Sequence, residues 1–382
     1  MLHNVIIEAG LVFAVATLTS LVIIIWFARG AYKSKKRNDI KAVQASHEAP
    51  VARIGGVAVM TALVCAALLF LLTPNSWPHY PFLLLSTLPV FMIGLSEDLG
   101  YFASPRARLL AAALSGAVFV GLFGQWLPRT DIPGLDLAMQ WAPFGIGFSI
   151  FLAVGVSHAF NLIDGLNGLA GLTAGGAALS LAAISHQTGL TEHRDVLLVL
   201  SSAIAGFLVF NFPFGKIFLG DAGAYMIGHI LVWMAISILF TAPNVTPFAI
   251  LLIFFWPVAD TLLAIIRRVY LGKVISHPDR LHFHQLVMRG IEIAVLGRKR
   301  RRIANPLATT LTLPFALAPM LLGVLLALNR GQAAMACLFF IAIFLIAYKT
   351  GLWMARRLRR SASPKKMHKA QTSVVAAFKK LL

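Results

Sequence analysis

Eleven runs of nearly unbroken apolar residues constrain this chain more than any other feature. They fall at 5–28, 54–72, 81–95, 108–124, 143–160, 169–185, 196–211, 222–240, 247–266, 306–328 and 333–354. A helix rising 1.5 Å per residue needs about 20 residues to cross a hydrocarbon layer roughly 30 Å thick. Segments such as LVIIIWFA and LLLSTLPVFMIGL are apolar on every face, not on alternate residues or one stripe. Lipid leaves only helices and closed barrels as spanning structures, because backbone N–H and C=O groups find no water there. Only 12% of residues are charged, about half the share of an ordinary soluble domain. The expected fold class is therefore all-α: a polytopic integral membrane protein with about eleven transmembrane helices. Residues 1–355 form the expected membrane domain. Residues 356–382 form a basic tail suited to an anionic inner leaflet. The first run has its charges after it, the wrong order for a cleaved signal peptide, and reads as a retained span.

The net charge of +19 would suggest nucleic acid in a soluble protein. Here its distribution argues for topology, and nucleic acid is not an expected partner. With the N-terminus outside, the inside segments hold 29 of the 33 Lys and Arg. The positive-inside rule then gives an N-out, C-in chain. Cys65 and Cys337 both sit in apolar runs and read as small buried hydrophobes, not a disulfide or metal set.

The acids on the inside face are few and lie beside glycines. GLSEDLGYFASPRARLL carries Glu97 and Asp98 with Arg106 and Arg108 beyond them. Adjacent carboxylates in apolar surroundings repel, so they call for a cation or a bound proton. HAFNLIDGLNGLAGL puts Asn161, Asp164 and Asn167 among three glycines between two spans. NFPFGKIFLGDAGAYMIG places Asp221 at the start of a span, with Asn211 and Phe218 ahead of it. An Asp there is ordinarily an N-cap, but a helix N-terminus also attracts phosphate, and a carboxylate beside it can share Mg²⁺ with that phosphate. GKIFLGD has the wrong order for a Walker A loop. SHPDRLHFHQL offers Arg280, His282 and His284 without the third partner a zinc site needs. Arg and His donors suit a diphosphate; an amphipathic loop helix is the simpler reading. HEAPVARIGG adds His47 and Arg53 beside paired glycines, a weak signal alone. No Ser-His-Asp set accompanies these groups. A metal-binding acid, cationic donors and a stacking ring suit phosphoryl transfer, which relies on positioning and charge neutralisation.

NLIDGLNGLAGL, FLGDAG and DRLHFH, in this order over about residues 1–355, resemble the polyprenyl-phosphate N-acetylhexosamine-1-phosphate transferases of glycosyltransferase family 4. The resemblance implies a cytoplasmic-face enzyme that moves a sugar-1-phosphate from a UDP-sugar to undecaprenyl or another polyprenyl phosphate. UMP is released, and a lipid-linked surface polysaccharide is begun. It implies Mg²⁺, with Mn²⁺ as a substitute, held by Asp221 and Asn161. Asp98, Glu97 and Asp164 become the expected catalytic residues. Asn167, Phe218, Asn211, Arg108, Arg280, His282 and His284 become the substrate-binding ones. Phe218 matches the ring that stacks uracil, Asn211 a polar neighbour of the nucleotide, and Arg108 a basic residue near the lipid phosphate. Two departures stand out. The acidic pair is Glu97-Asp98 where Asp-Asp is familiar, so Asp98 carries the position that must be exact. Asn167 stands where Asp is usual. It is a poor base, but its carboxamide complements the uracil edge. The single HFH, in place of a run of histidines, favours a simple UDP-N-acetylhexosamine. The expected step is in-line attack by the lipid phosphate on the β-phosphorus, with Asp98 orienting or deprotonating the acceptor; a covalent intermediate on Asp164 or Asp98 is the other route. Expected partners are the two substrates and the bilayer, with a homodimer left open. The competing function is a transporter or lipid flippase using the acids as a relay, but a relay needs ionisable groups at several depths, and most spans have none apart from Asp260.

Overall fold

The computed structural model describes residues 2–30, 51–72, 79–272, 281–297 and 300–361. The order is α1 (Leu2–Ala28), α2 (Gly55–Leu72), α3 (Tyr80–Asp98), α4 (Pro105–Phe123), α5 (Pro133–Met139), α6 (Ala142–Ile163), α7 (Leu169–Gln187), α8 (Thr191–Asn211), α9 (Gly220–Thr241), α10 (Pro247–Ile253), α11 (Phe255–Tyr270), α12 (Phe283–Ile291), a π-helical turn (Glu292–Leu296), α13 (Arg301–Leu325) and α14 (Arg330–Ser361). The protein is an all-α polytopic membrane protein. Among the described residues, nine helices are long and apolar enough to cross a membrane: α1, α3, α4, α6, α7, α8, α9, α13 and α14. The apolar α2 is shorter. The run at 247–266, expected as one span, is divided into α10 and α11, which meet at 80°. Every one of the eleven apolar runs thus lies on a helix or on this bent pair. The helix α14 continues to Ser361, past the expected domain edge at 355, and the rest of the tail lies outside the described residues.

The helix α9 is the centre of the bundle. Its residues from Gly220 to Leu239 are all buried, and it packs against α2, α3, α4, α6 and α7. The sequence permits this without requiring it: AYMIGHILVWMAISILF is apolar around its whole circumference, so no face suits water, but lipid would accept it as readily as protein does. Apolar side chains gain little by leaving lipid for protein, so close van der Waals fit supplies much of the association. Small residues provide that fit. A Cβ on Gly94 of α3 would come within 2.5 Å of the Ala222 backbone nitrogen, and one on Gly56 of α2 would run into the backbone of Gly223.

The segments that lead into α2 and α9 are joined by backbone. Ala52 and Ile217 form a parallel bridge. Phe218 N–H donates to Ala52 O, and Phe218 O accepts from Gly55 N–H, each at 2.8 Å. The segment before α2 is thereby laid along the segment before α9. Replacing Gly94 with Ala should force α3 and α9 apart. Overpacking of this kind costs about 1–3 kcal/mol, and a melting curve in detergent should show a clear fall in Tm with no change in helix content.

Candidate active site

The first N–H groups of a helix have no partner within it. In α9 those partners come from two other helices. Asp98, the last residue of α3, accepts from Asp221 N–H through Oδ1 and from Ala222 N–H through Oδ2, both at 2.9 Å. Asp164, immediately after α6, accepts from Gly220 N–H through Oδ2 at 3.2 Å. The positive end of the helix dipole favours both carboxylates. Gly220 is required at this joint: its φ is +76°, and a Cβ would meet the Arg53 carbonyl and, at 2.5 Å, Asp98 Oδ2.

This capping corrects the reading of Asp221 as an ordinary N-cap. Its own side chain caps nothing. It accepts instead from Asn161 Nδ2 at 2.9 Å, with the Arg53 guanidinium 3.9 Å from the same oxygen. Asp98, expected to handle a substrate proton, has both oxygens engaged by backbone and acts as a cap. The acidic pair separates: Asp98 turns into α9, while Glu97 pairs with Arg108 of α4 at 3.3 Å. Tyr225, early in α9, has its ring 4.9 Å from that of His158.

Asp98, Asp164 and Asp221 therefore surround one helix terminus, with Arg53 beside them. Asp164 lies outside the spans, and its carboxyl is pushed up to about 7, chiefly by burial and further by Asp221, while Arg53 and the Gly220 N–H oppose the rise. Among the described residues, no three His, Cys, Asp or Glu groups form a closed metal cage. Mg²⁺ does not ask for one; it is commonly held by one or two carboxylates together with substrate phosphates and waters. An excess of acids over cations, with Asp221 turned away from the backbone, suits that ion.

The loop between α6 and α7 is held by polar side chains. Asn211, expected near the nucleotide, is buried; its Oδ1 accepts from Gly168 N–H at 2.8 Å and its Nδ2 donates to Ile217 O at 2.7 Å. Its observed work is joining this loop to the segment before α9. Gly168 has φ +80° and packs against the Phe212 ring. Asn167 donates from Nδ2 to Pro213 O at 3.0 Å, and its backbone N–H donates to Asn305 Oδ1 at 2.7 Å. Its side-chain Oδ1 is buried without a hydrogen-bond partner among the described residues, an acceptor of the kind a ligand N–H would satisfy. Phe218 is half-buried on the paired extended segment.

His282 and His284 open α12 and are fully buried. Their rings lie 5.7 Å apart and nearly parallel. A Cβ on Gly165 would sit 3.1 Å from His284 Nε2, so the histidines border the loop that carries Asp164. Burial pushes the His284 imidazole down to about 4, and Asp260 opposes this. Arg280 and His47 lie outside the described residues.

The structure thus gathers Asp98, Asp164, Asp221, Asn161 and Arg53 around the start of α9, with His284 against the adjoining Gly165 loop and Glu97 paired with Arg108 to one side. Residues 80–239 match the model of glycosyl transferase family 4, and the matched stretch runs from α3 through α9, which contains all three capping and capped acids. Along this stretch the chain is similar to that family. Its segments are similar to those of a probable undecaprenyl-phosphate N-acetylglucosaminyl 1-phosphate transferase of Bacillus subtilis, 28% identical over 246 residues, which cover 63% of this chain and 67% of the relative. A decaprenyl-phosphate N-acetylglucosaminephosphotransferase of Mycobacterium tuberculosis is 28% identical over 67% of this chain and 69% of the relative. A phospho-N-acetylmuramoyl-pentapeptide-transferase of Streptococcus pneumoniae is 28% identical over 61% of this chain and 73% of its own.

Three residues of this neighbourhood carry little signal in the sequence. Arg53 was visible beside its glycines, but nothing local tied it to acids over a hundred residues away. Asn305, before a proline at the head of α13, carries no chemical signature. Asp260 looked like an isolated buried acid.

A raised Asp164 makes the folded protein hold a proton that the unfolded chain releases, so its contribution to stability is complete at low pH and is lost as pH rises through about 7. Asp164→Asn mimics the protonated form. In detergent without divalent cations, its Tm gain over the unsubstituted protein should be small at pH 5 and should grow as pH passes 7.

Proposed function

We propose that this protein transfers an N-acetylhexosamine-1-phosphate from a UDP-sugar to a polyprenyl phosphate at the cytoplasmic face of a bacterial membrane, releasing UMP. The observation that carries the reading is the freed Asp221 carboxylate at a helix N-terminus whose backbone is capped by Asp98 and Asp164. The names of the relatives supply the substrate class; the excess of Lys and Arg on the inside segments supports the side. Asp221 and Asn161 are the residues that would hold Mg²⁺, with Asp164 in reach of the same charge. When bound, the ion supplies charge neutralisation for the transferring phosphoryl group.

The remaining roles belong to the chain. Asp98 fixes α9, so that Asp221 and Asn161 keep their relation to one another while the substrate changes. Phosphoryl transfer gains from such rigidity, because its barrier falls chiefly through alignment and electrostatic preorganisation. The acceptor is a phosphate monoester and largely dianionic at neutral pH, so a strong base is dispensable and Asp98 need not be one. Arg108, held by Glu97, is the candidate cation for the acceptor phosphate. Phe218 would stack uracil and Asn167 Oδ1 would accept its N3–H. His282 and His284 would border the diphosphate. A direct displacement is the simpler route, since the carboxylates of Asp98 and Asp164 are already occupied by backbone donors.

Purified protein with undecaprenyl phosphate, Mg²⁺ and a panel of UDP-N-acetylhexosamines should release UMP with at least one donor. Asp221→Asn should lower kcat by on the order of 10²-fold or more, the size of losing one preorganised electrostatic group. Full activity of that variant at saturating Mg²⁺ would remove Asp221 from the metal site. Substrate counterflow in liposomes without UMP release would favour the flippase reading.

A further inference from the structure

The 80° turn between α10 and α11 brings a buried acid to the histidine motif. Asp260 of α11 is 2% exposed. Its Oδ2 lies 2.9 Å from His282 Nδ1, and its Oδ1 accepts from the Phe283 N–H at 3.0 Å. His284 Nδ1 is farther, 3.8 Å from Oδ2. One carboxylate thus grips both the ring of the first histidine and the backbone of the residue between the two. The same segment is held on either side. Tyr348 of α14 donates to Leu281 O at 3.0 Å, and Arg267 donates to Tyr348. Phe283 lies edge-on to Trp256, 4.8 Å away.

This much restraint surrounds nitrogens that find no partner among the described residues: His282 Nε2 and both ring nitrogens of His284 are buried without a hydrogen bond there. Leaving a buried polar atom unsatisfied is costly, so three in one cluster point to a ligand that completes them. A carboxylate oxygen only accepts hydrogen bonds, and Asp260 Oδ1 is already an acceptor of Phe283 N–H. His282 Nδ1 is therefore the donor in its pair. With Nδ1–H committed, Nε2 is the atom at which the ring binds a ligand or exchanges a proton. An imidazole without such a partner can turn over or place its proton on the other nitrogen.

We propose that Asp260 is a positioning residue for the transfer: it fixes the orientation and tautomer of His282 so that Nε2 meets the diphosphate of the sugar donor. The inference rests on the function proposed above and adds to it a residue outside the stretch matched by the family model. Asp260 touches no substrate; it acts through His282. The arrangement also accounts for the Asp-bearing face of α11 being turned inward in a helix whose other face is exposed at Leu262, Ile266 and Val269.

The test compares Asp260→Asn, His282→Ala and the double variant, by UMP release and by ¹⁵N spectra of histidine side chains. The unsubstituted protein should show His282 as the Nδ1–H tautomer, and Asp260→Asn should redistribute it. Asp260→Asn should lower kcat by tenfold or more, within the range of losing an outer partner of a functional histidine, and leave KM for the polyprenyl phosphate within about twofold. The double variant should be no slower than His282→Ala alone, because both remove the same element. Multiplying losses, or an Asp260→Asn enzyme as fast as the unsubstituted one, would overturn the proposal. If Asp260→Asn does not fold, Asp260→Glu takes its place, with a smaller loss that again does not multiply. Absence of UMP release by the unsubstituted protein would instead count against the proposed function, while the Nε2–H tautomer at His282 would still overturn the pairing.

Discussion

Three consecutive backbone N–H groups, those of Gly220, Asp221 and Ala222, govern the architecture of this site. They open the most buried helix in the molecule and have no partners within it. The amides of Asp221 and Ala222 are buried, and the chain brings in carboxylates from α3 and from the end of α6. Each acid is stabilised by the helix terminus it caps, and the terminus by the acids. Because the capping comes from elsewhere, the residue at the head of α9 is released from the task its position would normally give it. Asp221 is then available to Asn161, Arg53 and a cation.

The glycines follow from the same constraint. Capping side chains as short as Asp demand that the helices approach almost to backbone contact. Gly56, Gly94 and Gly223 permit that approach, and Gly220 permits the turn. The site is rigid because it is built into helix packing, and a reaction that depends on alignment is well served by such a scaffold. The histidine pair is fixed by a second, similar device, in which Asp260 binds a ring nitrogen and a backbone amide together.

Much of this was legible in the sequence. Apolar runs near twenty residues long announce membrane helices because hydrocarbon thickness sets their length, and each run became a helix or the bent pair. Asp164, Asp221 and Asp98 were recognisable because an acid amid glycine and apolar residues is costly without a purpose. What escaped was direction. Asp98 and Glu97 are neighbours in sequence but project to different helices, since consecutive residues on a helix lie about 100° apart. The expectation that both serve the substrate treated them as a unit. The break at Phe254 was hidden because nothing in LLIFFWPVAD interrupts the apolar pattern, and Pro257 lies within the first turn of α11, where proline is tolerated. Asn305 and Asp260 gain their meaning only from partners 138 and 22 residues away.

The central claim is that Asp98 serves α9 rather than the substrate. Amide hydrogen exchange at Gly220–Ala222 in Asp98→Ala, set against the unsubstituted protein, tests it most directly. The account predicts exchange at Asp221 and Ala222 faster by on the order of tenfold or more, as a lost hydrogen bond of about 1.5–3 kcal/mol to a charged group would give, with the middle of α9 unchanged. Unaltered exchange at those two amides together with lost activity would contradict it, and would return Asp98 to the substrate.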